Sequence, residues 1–284
     1  VGRNTLYANT TGTYNVGIGS FALDANTTAN ANVGIGYDAL GSCTTGATNT
    51  CVGHEAGNEI TTGSLNNAFG YNALDKITEA SENTGIGSAA LGSVTTGSHN
   101  IGIGQSAGNH SIALNGAGNI CVGNYTDAPA TSTNYAIIMG YDVTGVGTDN
   151  FTFGRQSVDS NIAFGATSIT APSDIRLKED IEDEKIGLDF INDLRPVTYR
   201  WKKAKDVPSE LKVHDADSDE RVMNGKYNHG FIAQEVKQVI DNYDLKDGFD
   251  MWTEDEADGR QRIGEASLMP LMVKAVQELS AKVE

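Results

Sequence analysis

Asparagine recurs at Asn15, Asn32, Asn49, Asn66, Asn83 and Asn100, a constant interval of 17 residues. Glycine stands four residues after each one, at Gly19, Gly36, Gly53, Gly70, Gly87 and Gly104. The surrounding pattern is N-x-G-x-G-x-x-A-L, as in Asn32-Val33-Gly34-Ile35-Gly36-Tyr37-Asp38-Ala39-Leu40. A Thr-Thr-Gly turn precedes it at Thr10, Thr44, Thr61 and Thr95. Six copies in phase exclude low-complexity disorder, which does not keep apolar positions at fixed spacing. A fixed period of this size predicts a solenoid or a stacked array.

Seventeen residues with two turns leave room for two short strands per copy. In Val16-Gly17-Ile18-Gly19 the β-branched residues alternate with glycine, which sends apolar side chains to one face and leaves the other open to close backbone approach. Asparagine at a fixed corner suits a left-handed or Asx turn, and stacked asparagines can hydrogen-bond up a ladder. Ala22-Leu23 and Ala90-Leu91 are expected to fill the second side of each coil. One coil cannot close a core alone, so neighbouring coils must stack, and neighbouring chains with them. After Gly104 the period loosens. Related pieces remain at Asn119–Gly123, Asn150–Gly154 and Asn161–Gly165. They read as continued β structure narrowing into a neck.

Composition changes at Ala171-Pro172-Ser173-Asp174. Residues 1–172 hold 27 of the 33 glycines and only Arg3, Lys76 and Arg155 as basic residues, whereas 173–284 hold both tryptophans and 26 of the 37 acidic residues. The boundaries read from this are a repeat shaft over 1–125, an irregular β neck over 126–172 and a globular module over 173–284. The net charge of −17 excludes a nucleic-acid binder, which needs a basic footprint. No apolar run reaches the ~18 residues of a membrane span, so no membrane insertion is expected. The start at Val-Gly-Arg, without a signal peptide, reads as part of something longer. Three cysteines do not make a full disulfide framework within one chain.

The shaft repeat resembles the Asn/Gly/Ala-Leu repeats of phage tail-fibre and tailspike shafts and, more loosely, the head repeats of trimeric autotransporter adhesins. That resemblance implies a trimeric β-roll, β-solenoid or triple β-helix. Four blocks follow the seam: Pro172-Ser173-Asp174-Ile175-Arg176-Leu177-Lys178, Gly187–Trp201, His229-Gly230-Phe231-Ile232-Ala233-Gln234-Glu235-Val236 and Leu268–Leu279. In this order they resemble the intramolecular-chaperone auto-processing domain of phage endosialidases and tail fibres, which also occurs in a few membrane-anchored transcription factors. The resemblance implies an α+β domain that drives homotrimer assembly and then cuts itself off at Pro172–Ser173, with Ser173 and Lys178 as a serine-peptidase dyad. It also implies a virion fibre whose receptor is a host glycan or surface protein, and a chaperone fragment released into the host cytoplasm.

The residues themselves leave that chemistry open. Serine becomes a nucleophile when a base takes its proton, and a desolvated lysine is such a base. Ser173 and Lys178 are five apart, which puts them on opposite faces of a strand and about 140° apart on a helix. Either Ser173 is the N-cap of a helix, or a turn intervenes, or the lysine serves a neighbouring chain. The plain reading of Ser173 is the cap alone.

His54, His99, His110, His214 and His229 show no ligand spacing; the first three are expected to face solvent, and His229 to have a structural role or to line the processing site. Cys51 and Cys121 stand where other copies have glycine and read as small buried residues. The acidic stretch Asp215–Glu220 reads as a solvated loop, because it lacks the glycine and glutamate of a calcium loop. No metal or cofactor is expected. Leu268, Met272, Ala275, Val276, Leu279 and Val283 have near-heptad spacing, which fits a helix packed on its own domain or a short trimeric bundle at the tip. Two competing readings are a bacterial trimeric adhesin with a non-cleaving assembly module, and an ice- or glycan-binding solenoid using its Thr-rich turns.

Overall fold

The computed structural model describes residues 1–109, 111, 114–245, 249–255 and 257–283. It divides into two compact units, Val1–Leu177 and Lys178–Glu284.

In the first unit, one strand per coil builds a single sheet. The strands are β1 (Val16–Ile18), β2 (Val33–Ile35), β3 (Thr50–Val52), β4 (Asn67–Phe69), β5 (Thr84–Ile86), β6 (Ile101–Ile103), β7 (Ile120–Val122), β8 (Ile137–Tyr141) and β9 (Asn150–Arg155). They pair in sequence order, parallel and in register, with Val16 opposite Val33 and Gly34 opposite Cys51. Strand β10 (Val158–Ala163) folds back antiparallel on β9 and ends the ladder. Each strand finds its partner in the next coil of the same chain, so the shaft is a β-solenoid and not an interwoven triple β-helix. The ladder continues through β7, β8 and β9, past the point where the sequence period loosens.

Two expectations are corrected here. The second side of the coil is not a strand. Leu23, Leu40, Leu74 and Leu91 have φ of 51 to 55°, and the residues two before them, Phe21, Asp38, Asn72 and Ala89, are also left-handed. Extended structure cannot form through alternating left-handed residues. The Ala-Leu segment therefore turns, and its N–H groups donate to carbonyls of the next coil, as in Leu23 N–H to Ala39 O at 3.0 Å. The second correction concerns the faces of the strand. The middle residue points inward: Gly34, Cys51, Ala68, Gly85, Gly102 and Cys121 are buried. A Cβ on Gly34 would lie 3.1 Å from Leu23 Cγ. The leucines fill the coil, so only a small residue fits between them on the strand, and the β-branched residues on either side face outward.

The glycine closing each strand has a different constraint. Gly70 has φ +141°, and a Cβ there would lie 2.5 Å from the carbonyl oxygen of Gly87 in the next coil. Glycine recurs here because successive backbones touch. The Asn15-to-Asn119 column sits at the opposite end of the strand and is buried from Asn32 onward.

In the second unit the elements are α1 (Leu188–Asp193), β11 (Val197–Tyr199), β12 (Asn228–Gly230), α2 (Ala233–Asn242), β13 (Trp252–Glu254), β14 (Gln261–Ile263) and α3 (Met269–Ala281). β11 pairs with β12 and β13 with β14, both antiparallel. The core gathers Phe190, Leu194, Val236, Met251, Leu268 and Leu271. Glu278 of α3 accepts the Leu188 N–H at 2.9 Å, which satisfies a free donor at the start of α1. Leu268, Leu271 and Ala275 are buried in their own domain, whereas Met272, Val276, Leu279 and Val283 are exposed. Among the described residues no helix is long and apolar enough to cross a membrane.

Gly70→Ala is expected to lower the thermal midpoint of the shaft markedly, because both the left-handed φ and the 2.5 Å approach oppose a Cβ. Gly147→Ala, whose Cβ would meet nothing closer than 3.8 Å, is expected to leave it unchanged. Equal midpoints for the two variants in a circular-dichroism melt would contradict this packing.

Candidate functional site

The segment after the solenoid has little regular structure. Ala171, Pro172 and Ser173 are exposed coil, followed by a single 3-10 turn over Ile175–Leu177. Asp174 organises this turn. Its Oδ1 accepts the Arg176 N–H at 2.9 Å, and its carbonyl accepts the Leu177 N–H at 3.0 Å. The Arg176 guanidinium grips the same carboxylate, with Nε 3.0 Å from Oδ1. That hydrogen bond holds Asp174 below the usual carboxylate range. A helix capped by Ser173 does not form: a carboxylate one residue later competes for the same donors, and only one turn follows. Lys178 comes after the turn, exposed, as the first residue of the second unit.

The two longer motifs meet in space. Thr198 of β11 stands opposite His229 of β12, with Oγ1 3.3 Å from Nδ1. Arg195 Nε donates to Glu235 Oε2 at 2.9 Å, and this bond holds Glu235 below its ordinary range. Phe231 and Val236, from the same motif, pack on Phe190. The Gly-Phe-Ile-Ala-Gln-Glu-Val run thus ends a strand, starts α2 and supplies core and ion pair together. Pro196, Val197, Thr198, His229, Gly230, Phe231 and Glu265 line a cleft beside the hairpin.

The remaining candidates have plain roles. His54 is exposed but stacked between Tyr37 and Tyr71, with centroids at 5.0 and 5.4 Å. His99 lies 3.2 Å from Glu82, His214 Nδ1 bonds the Val207 carbonyl at 2.7 Å, and His110 lies outside the described residues. Cys43, Cys51 and Cys121 are buried, and burial pushes the Cys43 thiol up to about 11 and Cys121 up to about 12. In the acidic stretch, Asp219 takes both Lys203 and Lys205 at 2.7 Å, which lowers its pKa to about 2. Sequence reasoning missed Asp174 as the turn's organiser; the signal was the Asp-x-Arg spacing.

Residues 173–245 match the family model described as the chaperone of endosialidase, a peptidase family. The match begins at Ser173, within the seam where the composition changes. Neither a curated protein nor a solved structure matches the chain. A chaperone-of-endosialidase domain behind a β-solenoid fits a phage fibre- or tailspike-like assembly region, and autoproteolytic peptidase activity in general goes with that family. The family also points to a virion-associated protein.

Because its pKa is lowered on folding, Asp219 contributes stability above the ordinary carboxylate pKa of ~3.9, and this is lost as pH falls toward 2. Wild type is expected to exceed Asp219→Asn in denaturant midpoint at pH 5, with the gap closing near pH 2. A gap independent of pH would show that Asp219 stabilises the loop by other means.

Proposed function

We propose that this chain is the C-terminal part of a phage fibre or tailspike whose module 173–284 drives homotrimer assembly and then severs itself from the shaft at Pro172–Ser173. The observation that carries the reading is the family match, which begins at Ser173, directly behind the solenoid and its coil. The exposure of Pro172 and Ser173 supports it, since a cut needs a peptide that is not locked in a ladder. Met272, Val276 and Leu279, exposed at heptad spacing on α3, support a bundle between copies at the tip.

In this mechanism the Ser173 hydroxyl attacks the Pro172 carbonyl carbon while Lys178, neutral at that moment, takes the hydroxyl proton. The Pro172–Ser173 C–N bond breaks, the lysine returns the proton to the leaving amine, and an ester joins Pro172 to Ser173 Oγ. Water then hydrolyses the ester and frees the shaft. A neutral lysine needs desolvation. Lys178 is exposed in the single chain, so the base becomes competent only when assembled copies cover it. The cut then reports correct assembly and leaves the shaft kinetically trapped. The shaft or domains before it would engage a host glycan or surface protein, and the released module would stay in the host cytoplasm.

Ser173→Ala and Lys178→Ala are each expected to leave an uncut chain of 30.0 kDa on denaturing electrophoresis, still trimeric by light scattering. Wild type is expected to yield a fragment whose N-terminus is Ser173. A fragment starting at residue 173 from either variant would overturn the dyad. Wild type that never cuts would leave the module a chaperone without protease activity.

A further inference from the structure

The outward face of the solenoid sheet is apolar from end to end. In each of β1–β9 the residues on either side of the inward-pointing middle residue make 18 positions, of which 15 are apolar and none is charged. Ile18, Phe69, Ile86, Ile103 and Met139 are each 40–47% exposed. This is not spillover from the core, because the inward-pointing middle residue and the leucines already fill the coil.

We infer that this face is the surface along which copies of the same shaft meet; the inference rests on the homotrimer reading above and names the face that reading leaves open. Charge favours a second copy as occupant. Residues 1–172 carry 11 acidic and 3 basic residues, so like shafts repel wherever those charges face each other. The outward sheet positions carry no charge over their whole length. Period favours the same occupant: a partner must offer apolar columns at the ~4.8 Å strand spacing over eight steps, about 38 Å, and another copy does so at every rung.

Area sets the strength. At ~38 Å by ~10 Å the face presents about 400 Å² in projection. A standard interface takes ~800 Å² from each partner. The face therefore suits copies already held side by side by another contact, where local concentration replaces intrinsic affinity. Identical rungs also give it little preference for one register over a one-rung slip, so the holding contact must set the register.

The test places one cysteine in the full chain at Ile86→Cys, with Ile103→Cys as a second probe one rung on and Thr62→Cys, in the exposed Thr-Thr-Gly turn, as control. Each is treated with a short bismaleimide; the three native thiols are buried. Both face variants are expected to give a cross-linked dimer band on a denaturing gel, the largest product that one thiol per chain and a two-armed linker allow, while Thr62→Cys stays at the single-chain mass. Oligomers by light scattering with no cross-link at residue 86 or 103, or equal cross-linking at 62, would overturn the face and leave the homotrimer reading standing. A monomer by light scattering would overturn the homotrimer reading, and the face with it. Both sites point away from the coil interior, and unchanged circular dichroism confirms that the variants fold.

Discussion

A hydrogen bond repeated once per coil fixes the rest of the shaft. The side-chain oxygens of Asn15, Asn32, Asn49, Asn66, Asn83 and Asn100 each accept the backbone N–H of the next asparagine, at 2.8 to 3.0 Å. Asn119 passes the column on to the Ala136 N–H at 2.9 Å. The amide nitrogens hold the turns: Asn49 donates to Gly63 O and Asn66 to Ala80 O, both at 2.9 Å. Each of these two side chains thus ties its coil to the next one twice, accepting from the next asparagine's backbone and donating to the corner that precedes it. An aspartate lacks the donor and a leucine lacks both groups, and either would leave buried backbone groups unpaired at a cost of about 1–3 kcal/mol each. With that column set, the glycine corners must touch, the leucines must fill the coil and the strand's β-branched residues must face out.

This geometry separates stability from assembly. Coil stacking is local, each rung bonding the next. Lateral association has no such local instruction, because every rung resembles its neighbours. In the function proposed above, a separate module brings the chains together in one register, and the residues that match the chaperone family follow the shaft directly in sequence. The second unit is organised in an ordinary way: Phe190, Val236 and Leu271 belong to its core, and Arg195–Glu235 ties two motifs that are 40 residues apart.

Much of this was legible in the residues. The 17-residue phase announced a solenoid, the asparagine corner announced its ladder, and Cys51 and Cys121 at glycine positions announced small buried side chains. What was not legible followed from backbone conformation. Nothing in Ala-Leu shows that Leu23 adopts a left-handed φ, so the second side read as a strand. The alternation Val-Gly-Ile shows two faces but not which is inside; that depends on the leucines across the coil, which leave room only for a small residue such as glycine, alanine or cysteine. At the seam, Ser173 read as a cap because serine caps helices, whereas the neighbouring Asp174 makes the stronger, charge-assisted contact to Arg176.

In the proposed function, residues 173–284 impose on the shaft an assembly it cannot reach alone. The most direct measurement is light scattering of residues 1–172 expressed without the module, beside the full chain. A monomeric or aggregated shaft is expected from the truncated gene and a trimer from the full one. A soluble shaft of 1–172 with the mass and heat resistance of the trimer released from the full chain would contradict it.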